Sequence, residues 1–154
     1  MGKLPNQQLL ELLECIAPKR DLVIPPRPGF DSGVQRIGRD RYLVVSTDPC
    51  INVPKQWFGW LLVNYAASDV ALFGAEPSYL VLNLLGPPGT SFEDYRFVMR
   101  QVCAAARELN ATVVTGHTGS YEGLTCLVGT CTAYGFATSK QLITPDGSRS
   151  GDLI

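Results

Sequence analysis

The stretch WLLVNYAASDVALFGAEPSYLVLNLL (residues 60–85) decides the fold. Val63, Ala66, Ala67, Val70 and Phe73 recur at helical spacing, and the alanines allow that face to lie close on a sheet. Gly74 and Pro77 end the helix, and SYLVLNLL (residues 78–85) is apolar enough for a buried strand. A helix that hands over directly to a buried strand belongs in a layered domain of both element types.

Outward from this stretch, the next signal is a helix opening at Ser91. Tyr95, Val98, Val102, Ala105 and Leu109 line one face, Asp94 completes a capping box with Ser91, and Asn110 suits the C-terminal end. TVVTG (residues 112–116) and LTCLVGTCTAYGF (residues 124–136) follow as strands, the second long enough to bend at Gly129. Upstream, VQRI (residues 34–37), a Gly-Arg-Asp turn and YLVVSTD (residues 42–48) form a hairpin. PPRPG (residues 25–29) breaks regular structure, and residues 6–16 form a short amphipathic helix with Leu9, Leu12, Leu13 and Ile16 on one face. The order α-ββ-α-β-α-β-β lacks strict βαβ alternation. It predicts an α+β fold: a mixed sheet of four to five strands with helices on one face. The opposite sheet face then needs a cover, and self-association supplies one.

A chain of 154 residues suits one domain with a substantial core. Hydrophobic residues at 45% against 18% charged exclude a disordered chain, and a net charge of −1 gives no basic footprint for nucleic acid or an anionic membrane. No run approaches the ~18 apolar residues of a membrane span, and the N-terminus lacks a signal-peptide core. Met1-Gly2 is no myristoylation site, because Asn6 stands where Ser or Thr is required. Five scattered cysteines without a C-x-x-C pair argue against disulfides or zinc and for a reducing cytoplasm. All five are expected to be buried thiols, with Cys126 and Cys131 on opposite faces of one strand.

GPPGTS (residues 86–91) imitates a phosphate-binding loop between a strand and a helix. Counting from Gly86, however, Ser91 and Phe92 stand where the loop's second glycine and lysine belong, and Glu93 and Asp94 set carboxylates where phosphate would sit. It is expected to be a strand-to-helix turn. Three other carboxylates carry more chemistry. Asp31 precedes a strand in GFDSGV, Asp48 ends one in VSTDP, and Asp69 lies in an apolar helix. Asp69 either shares a solvated stripe with Asn64 and Ser68, or is buried and then must be paired or bind a cation. Three aspartates with Ser46 and Thr47 as hard oxygen neighbours suit Mg²⁺ carrying phosphates. The single histidine, His117, sits between Gly116 and Thr118 in VVTGHTG, where glycine-flanked backbone can approach a ligand. No nucleophile signature accompanies it, and no residue is assigned a catalytic role.

In order, G-F-D-S-G-V, V-S-T-D, S-D-V-A-x-x-G-A-x-P, T-G-H-T-G and G-S-R-S-G-D-L-I resemble the aminoimidazole ribonucleotide synthetase (PurM-like) superfamily. That group includes HypE, thiamine monophosphate kinase and selenophosphate synthetase, and the likeness spans residues 29–154. The resemblance implies an N-terminal helix and linker over residues 1–28. Residues 29–154 would then be the N-terminal, ATP-binding domain of a two-domain protein. It implies a homodimer in which two sheets close into a β-barrel, with ATP and Mg²⁺ beside the interface. By motif, Asp31, Ser46, Thr47, Asp48 and Asp69 would hold the metal, and Asp31, Thr47, Asp48, Gly116, His117 and Thr118 the nucleotide.

The branch stays open. Phe30 replaces the first aspartate of a frequent pair, His117 stands where the thiamine monophosphate kinases carry an aspartate, and Pro145 replaces their arginine. The implied function is the Mg-ATP-binding and dimerisation domain of an enzyme that phosphorylates a small substrate or carrier group, inactive in isolation. The alternative is a nucleotide-sensing or dimerisation module with a depleted metal site.

Overall fold

The computed structural model describes residues 3–152, so Met1-Gly2 and the final Leu153-Ile154 of the last motif lie outside the described residues. In chain order the elements are α1 (Asn6–Leu13), β1 (Leu22–Ile24), β2 (Gly33–Gly38), β3 (Arg41–Ile51), α2 (Phe58–Leu72), β4 (Glu76–Gly86), α3 (Phe92–Glu108), β5 (Thr112–Ser120) and β6 (Val128–Ala137). The six strands form one sheet in the order β1-β2-β3-β6-β4-β5. Among the described residues only β4 and β5 run parallel, joined through α3; every other pairing is antiparallel.

The fold is α+β with a mixed sheet, but it has six strands rather than four to five. The additional one is β1, whose three residues pair with β2 inside the segment read as helix and linker. Its brevity hides it from any periodicity test. β6 also begins at Val128, so residues 124–127 lie outside the strand and Cys126 has no strand face opposite Cys131.

One core fills the space between the helices and one sheet face. Val34, Val44, Leu80, Leu82, Leu84, Cys131 and Ala133 meet Leu62, Val63, Ala66, Val70, Val98, Val102 and Ala105, all buried. The helical faces read from sequence are borne out: Val63, Ala66, Ala67, Val70 and Phe73 are buried, as are Val98, Val102 and Ala105 of α3. The central strand β6 explains how α2 comes so close. Its buried positions are Gly129, Cys131, Ala133, Gly135 and Ala137, all small, whereas its bulky Tyr134 and Phe136 point the other way. A Cβ on Gly129 would lie 2.8 Å from Leu62 and 2.9 Å from Phe58, so α2 rests directly on that glycine.

Chain punctuation follows the sequence closely. Ser91 Oγ accepts from the Asp94 amide at 3.1 Å, and Asp94 Oδ2 accepts from the Ser91 amide at 3.3 Å, so the capping box is formed. Asn110, at φ 52, takes the left-handed position after α3, and Gly74, at φ 79, does so after α2. In the GPPGTS turn the Thr90 amide donates to the Pro87 carbonyl at 3.1 Å, with Gly89 at φ 87. Positive φ at the residue after Pro88 is the geometry of a type II turn. The loop is the expected turn, and Asp94 beyond it pairs with Lys55.

Two expectations fail at the surface. Helix α1 ends at Leu13, buries no residue, and leaves Leu12 and Ile16 exposed. Of the cysteines, Cys50 and Cys131 are buried, with burial pushing their thiols up to about 11 and about 12, but Cys15 and Cys103 are exposed. Cys15 lies just past an unburied helix and Cys103 on the outer side of α3, where no neighbouring element covers them.

Candidate functional site

Strand β3 alternates its side chains, so Val44, Ser46, Asp48 and Cys50 face the helices while Val45, Thr47 and Pro49 face the open side. Asp48 therefore points toward α2, from which Asp69 projects, and toward the 29–33 loop that carries Asp31. The three aspartates line one cleft of about 200 Å³ together with Lys3, Tyr65 and Ser68.

Two buried serines fix this convergence. Ser46 Oγ, on a side chain 3% exposed, lies 2.9 Å from the Asp31 carbonyl oxygen and 3.1 Å from Asp69 Oδ2, with one proton to offer these acceptors. Ser32, equally buried, donates to the Asp69 carbonyl at 3.0 Å. Strand, loop and helix are thus tied together directly behind the carboxylates. Asp69 is half-buried and accepts from Ser46, so it does not simply share the outer stripe, where Asn64 and Ser68 bond back to their own helix.

The electrostatics fit a crowded set of anions. Burial, then hydrogen bonding with the Asp69 carboxyl and the charge of Asp69, push Asp48 up to about 6. Lys3 Nζ reaches Asp31 Oδ1 at 2.9 Å, and this contact, chiefly its hydrogen bond, holds the ammonium pKa above its ordinary value. Among the described residues, no three His, Cys, Asp or Glu side chains stand close enough together to hold a metal ion between them. That does not disqualify magnesium, which keeps several waters and is held by one or two carboxylates plus phosphate oxygens. The donor set of Asp31, Asp48 and Asp69 has the hard oxygens that mode requires.

The other sequence candidates lie elsewhere. Thr47 is on the open face, where its hydroxyl accepts from Thr132 at 2.9 Å. Gly116, His117 and Thr118 are within β5 rather than a loop. Cross-strand partners run Asp48 to Cys131, Cys131 to Leu82 and Leu82 to Gly116. Three strand spacings thus put about 14 Å between Asp48 and Gly116. His117 pairs with the exposed Asn83 and hydrogen-bonds Tyr121, so it shares the open face with Thr47. Ser32 and Lys3 were not singled out from sequence. Ser32 had a signal in standing directly beside Asp31, whereas Lys3, in a short polar N-terminus, had none.

The segments that build this cleft fall inside a family match. Residues 29–137 match the model described as AIR synthase related protein, N-terminal domain. The chain belongs to that family. Among curated proteins it is 29% identical over 137 residues to carbamoyl dehydratase HypE of Cupriavidus necator, a match covering 83% of this chain and 38% of that protein. The solved structure of hydrogenase maturation protein HypE in complex with ATP superposes at TM-score 0.67 with 25% identity, covering 76% of this chain and 37% of that one. PurLQS from Thermotoga maritima superposes at TM-score 0.75 with 19% identity, covering 94% of this chain and 28% of that one, a likeness of fold. The chain thus spans about two-fifths of the length of these curated relatives. No helix among the described residues is long and apolar enough to cross a membrane.

Proposed function

We propose that residues 29–154 form the Mg-ATP-binding and dimerisation domain of a cytoplasmic AIR synthase related enzyme that uses ATP to phosphorylate a small substrate or carrier group. The observation that carries this reading is the convergence of Asp31, Asp48 and Asp69 from a loop, a strand and a helix, held by the buried Ser32 and Ser46. Evolution of a stable core alone would not gather three carboxylates there, since crowding raises Asp48 and disfavours its charge. The relative HypE, solved with ATP, supports the choice of nucleotide.

In this reading Asp48 and Asp69 bind the cation, Asp31 closes the cleft from the loop, and Ser46 orients Asp69. Magnesium would supply neutralisation of the triphosphate, and positioning by these side chains would supply most of the rate. Gly116, His117, Thr118 and Thr47 lie outside the aspartate cleft, Thr47 and His117 on the open face, and in this reading they meet the nucleotide away from its metal-bound phosphates. A second copy packed on the open sheet face would bury Thr47 and His117 between the two copies, which is how the dimer and the nucleotide site are joined in this proposal.

Isothermal calorimetry tests it. ATP should bind the chain in the presence of Mg²⁺, and Asp48→Ala and Asp69→Ala should each weaken binding by about tenfold or more. Binding that is indifferent to both substitutions would refute the site. The second reading, a nucleotide-sensing module without turnover, is favoured by Phe30 and His117, which stand where related sequences carry aspartates. ADP release by a protein carrying both halves separates the two readings: the enzyme requires it, the sensor forbids it.

A further inference from the structure

The cleft of three aspartates already contains a cation from the chain itself. Lys3 lines it together with Asp31, Asp48 and Asp69, and its ammonium is 2.9 Å from Asp31 Oδ1. What makes this contact more than a surface ion pair is the segment that delivers it. Helix α1 buries no residue against the domain. Among the described residues, the Lys3–Asp31 bond is the one polar contact between residues 3–18 and the body of the domain. The arm is therefore tied to the rim of the cleft through the Asp31 carboxylate.

We propose that Lys3 is a tethered counter-cation that occupies the carboxylate cleft in the metal-free protein and is displaced when a divalent cation enters, so that the N-terminal arm gates metal loading. The inference rests on the metal-binding reading of the cleft. Lys3 neutralises part of the cluster's negative charge, and a divalent ion carrying two charges into the same carboxylates removes the reason for the ammonium to stay. The arm then leaves as the metal arrives. Because the pair is solvent-exposed, with the lysine side chain 88% accessible, the competition is modest and is screened by salt.

The test uses Mn²⁺ alone as the probe, with no nucleotide, on the full chain, with affinity read by electron paramagnetic resonance of the free ion. Lys3→Met should bind Mn²⁺ about twofold to fivefold more tightly than the wild type at low ionic strength, and the gain should vanish in molar salt. Lys3→Arg, which keeps the charge, should match the wild type. An exposed methionine leaves folding intact, which a melting curve checks. Equal Mn²⁺ affinity in wild type and Lys3→Met, or weaker binding in the variant, overturns the gating role while leaving the metal site standing. Failure of all three folded proteins to bind Mn²⁺ overturns the metal reading and the gate with it.

Discussion

Asp48 is one residue from Thr47, yet the two face opposite sides of the sheet, and that parity governs what each can do. The folded protein raises Asp48 from the ordinary 3.8 to about 6, mainly by burial and by Asp69. The protonated form is thereby favoured in the fold. Its stabilising contribution is complete below about pH 3.8 and is lost as the pH rises through about 6. In chelator, wild type should therefore lose stability relative to Asp48→Asn between about pH 4.5 and about pH 7.5, by about 1 kcal/mol after solvent screening of a half-buried group. The carboxyls of Asp21, Asp40, Asp94 and Asp146 are lowered and titrate below that window, so they do not obscure it. Added Mg²⁺ should reverse the trend in wild type alone, since the cation stabilises the ionised carboxylates. Denaturant melts at the two pH values read the difference. The gathering of Asp31, Asp48 and Asp69 was legible because each sits in a motif with hard oxygen neighbours. Thr47 was placed with them despite strand alternation, which already forbade two adjacent strand residues from sharing one face.

At the scale of elements, the signals that survived were those with strong local chemistry. Ser91 and Asp94 wrote the start of α3, and Asn110 its end. Short or glycine-rich strands were less readable. β1 has three residues and is defined only by its partner β2, while the glycines around His117 imitate a loop although β5 pairs with β4 without a break from Thr115 to Ser120. The turn into α3 gives a contrast of two substitutions. Ser91→Ala removes the capping oxygen and should cost about 1 kcal/mol. Gly89→Ala meets no atom within 4 Å, but its φ of 87 strains any L side chain, which should also cost about 1–2 kcal/mol. Neither should change ATP affinity by more than about twofold, because the turn is remote from the aspartate cleft and Asp94 is engaged by Lys55. Denaturation and calorimetry on the same two variants check both halves. A large loss of affinity in folded Gly89→Ala would return the nucleotide to this loop.

For the whole molecule, the unresolved balance is on the open side of the sheet. Leu43, Val45, Val81, Leu85, Tyr134 and Phe136 stand there only half-buried, and Tyr79 lies tilted against Tyr134 and edge-on to Phe136, with ring centroids 5.6 and 6.2 Å away. An apolar and aromatic cluster on a sheet face without a covering layer is a surface that association stabilises. Sequence order alone anticipated it, because the helices are too few and fall on one side. A second copy laid on this face would bury the aromatic cluster and bring Thr47 and His117 into the interface. Val45→Lys places a charge in the centre of the patch, on the strand beside Tyr134, without touching the helix-side core. Sedimentation should then show a dimer for the wild type and a monomer for Val45→Lys, with the variant's circular dichroism unchanged. If nucleotide is bound across the interface, the monomeric variant should also lose ATP affinity while retaining Mn²⁺ binding at Asp31, Asp48 and Asp69, since those three belong to one protomer. Full ATP affinity in a monomer would confine the nucleotide to a single chain and separate dimerisation from binding.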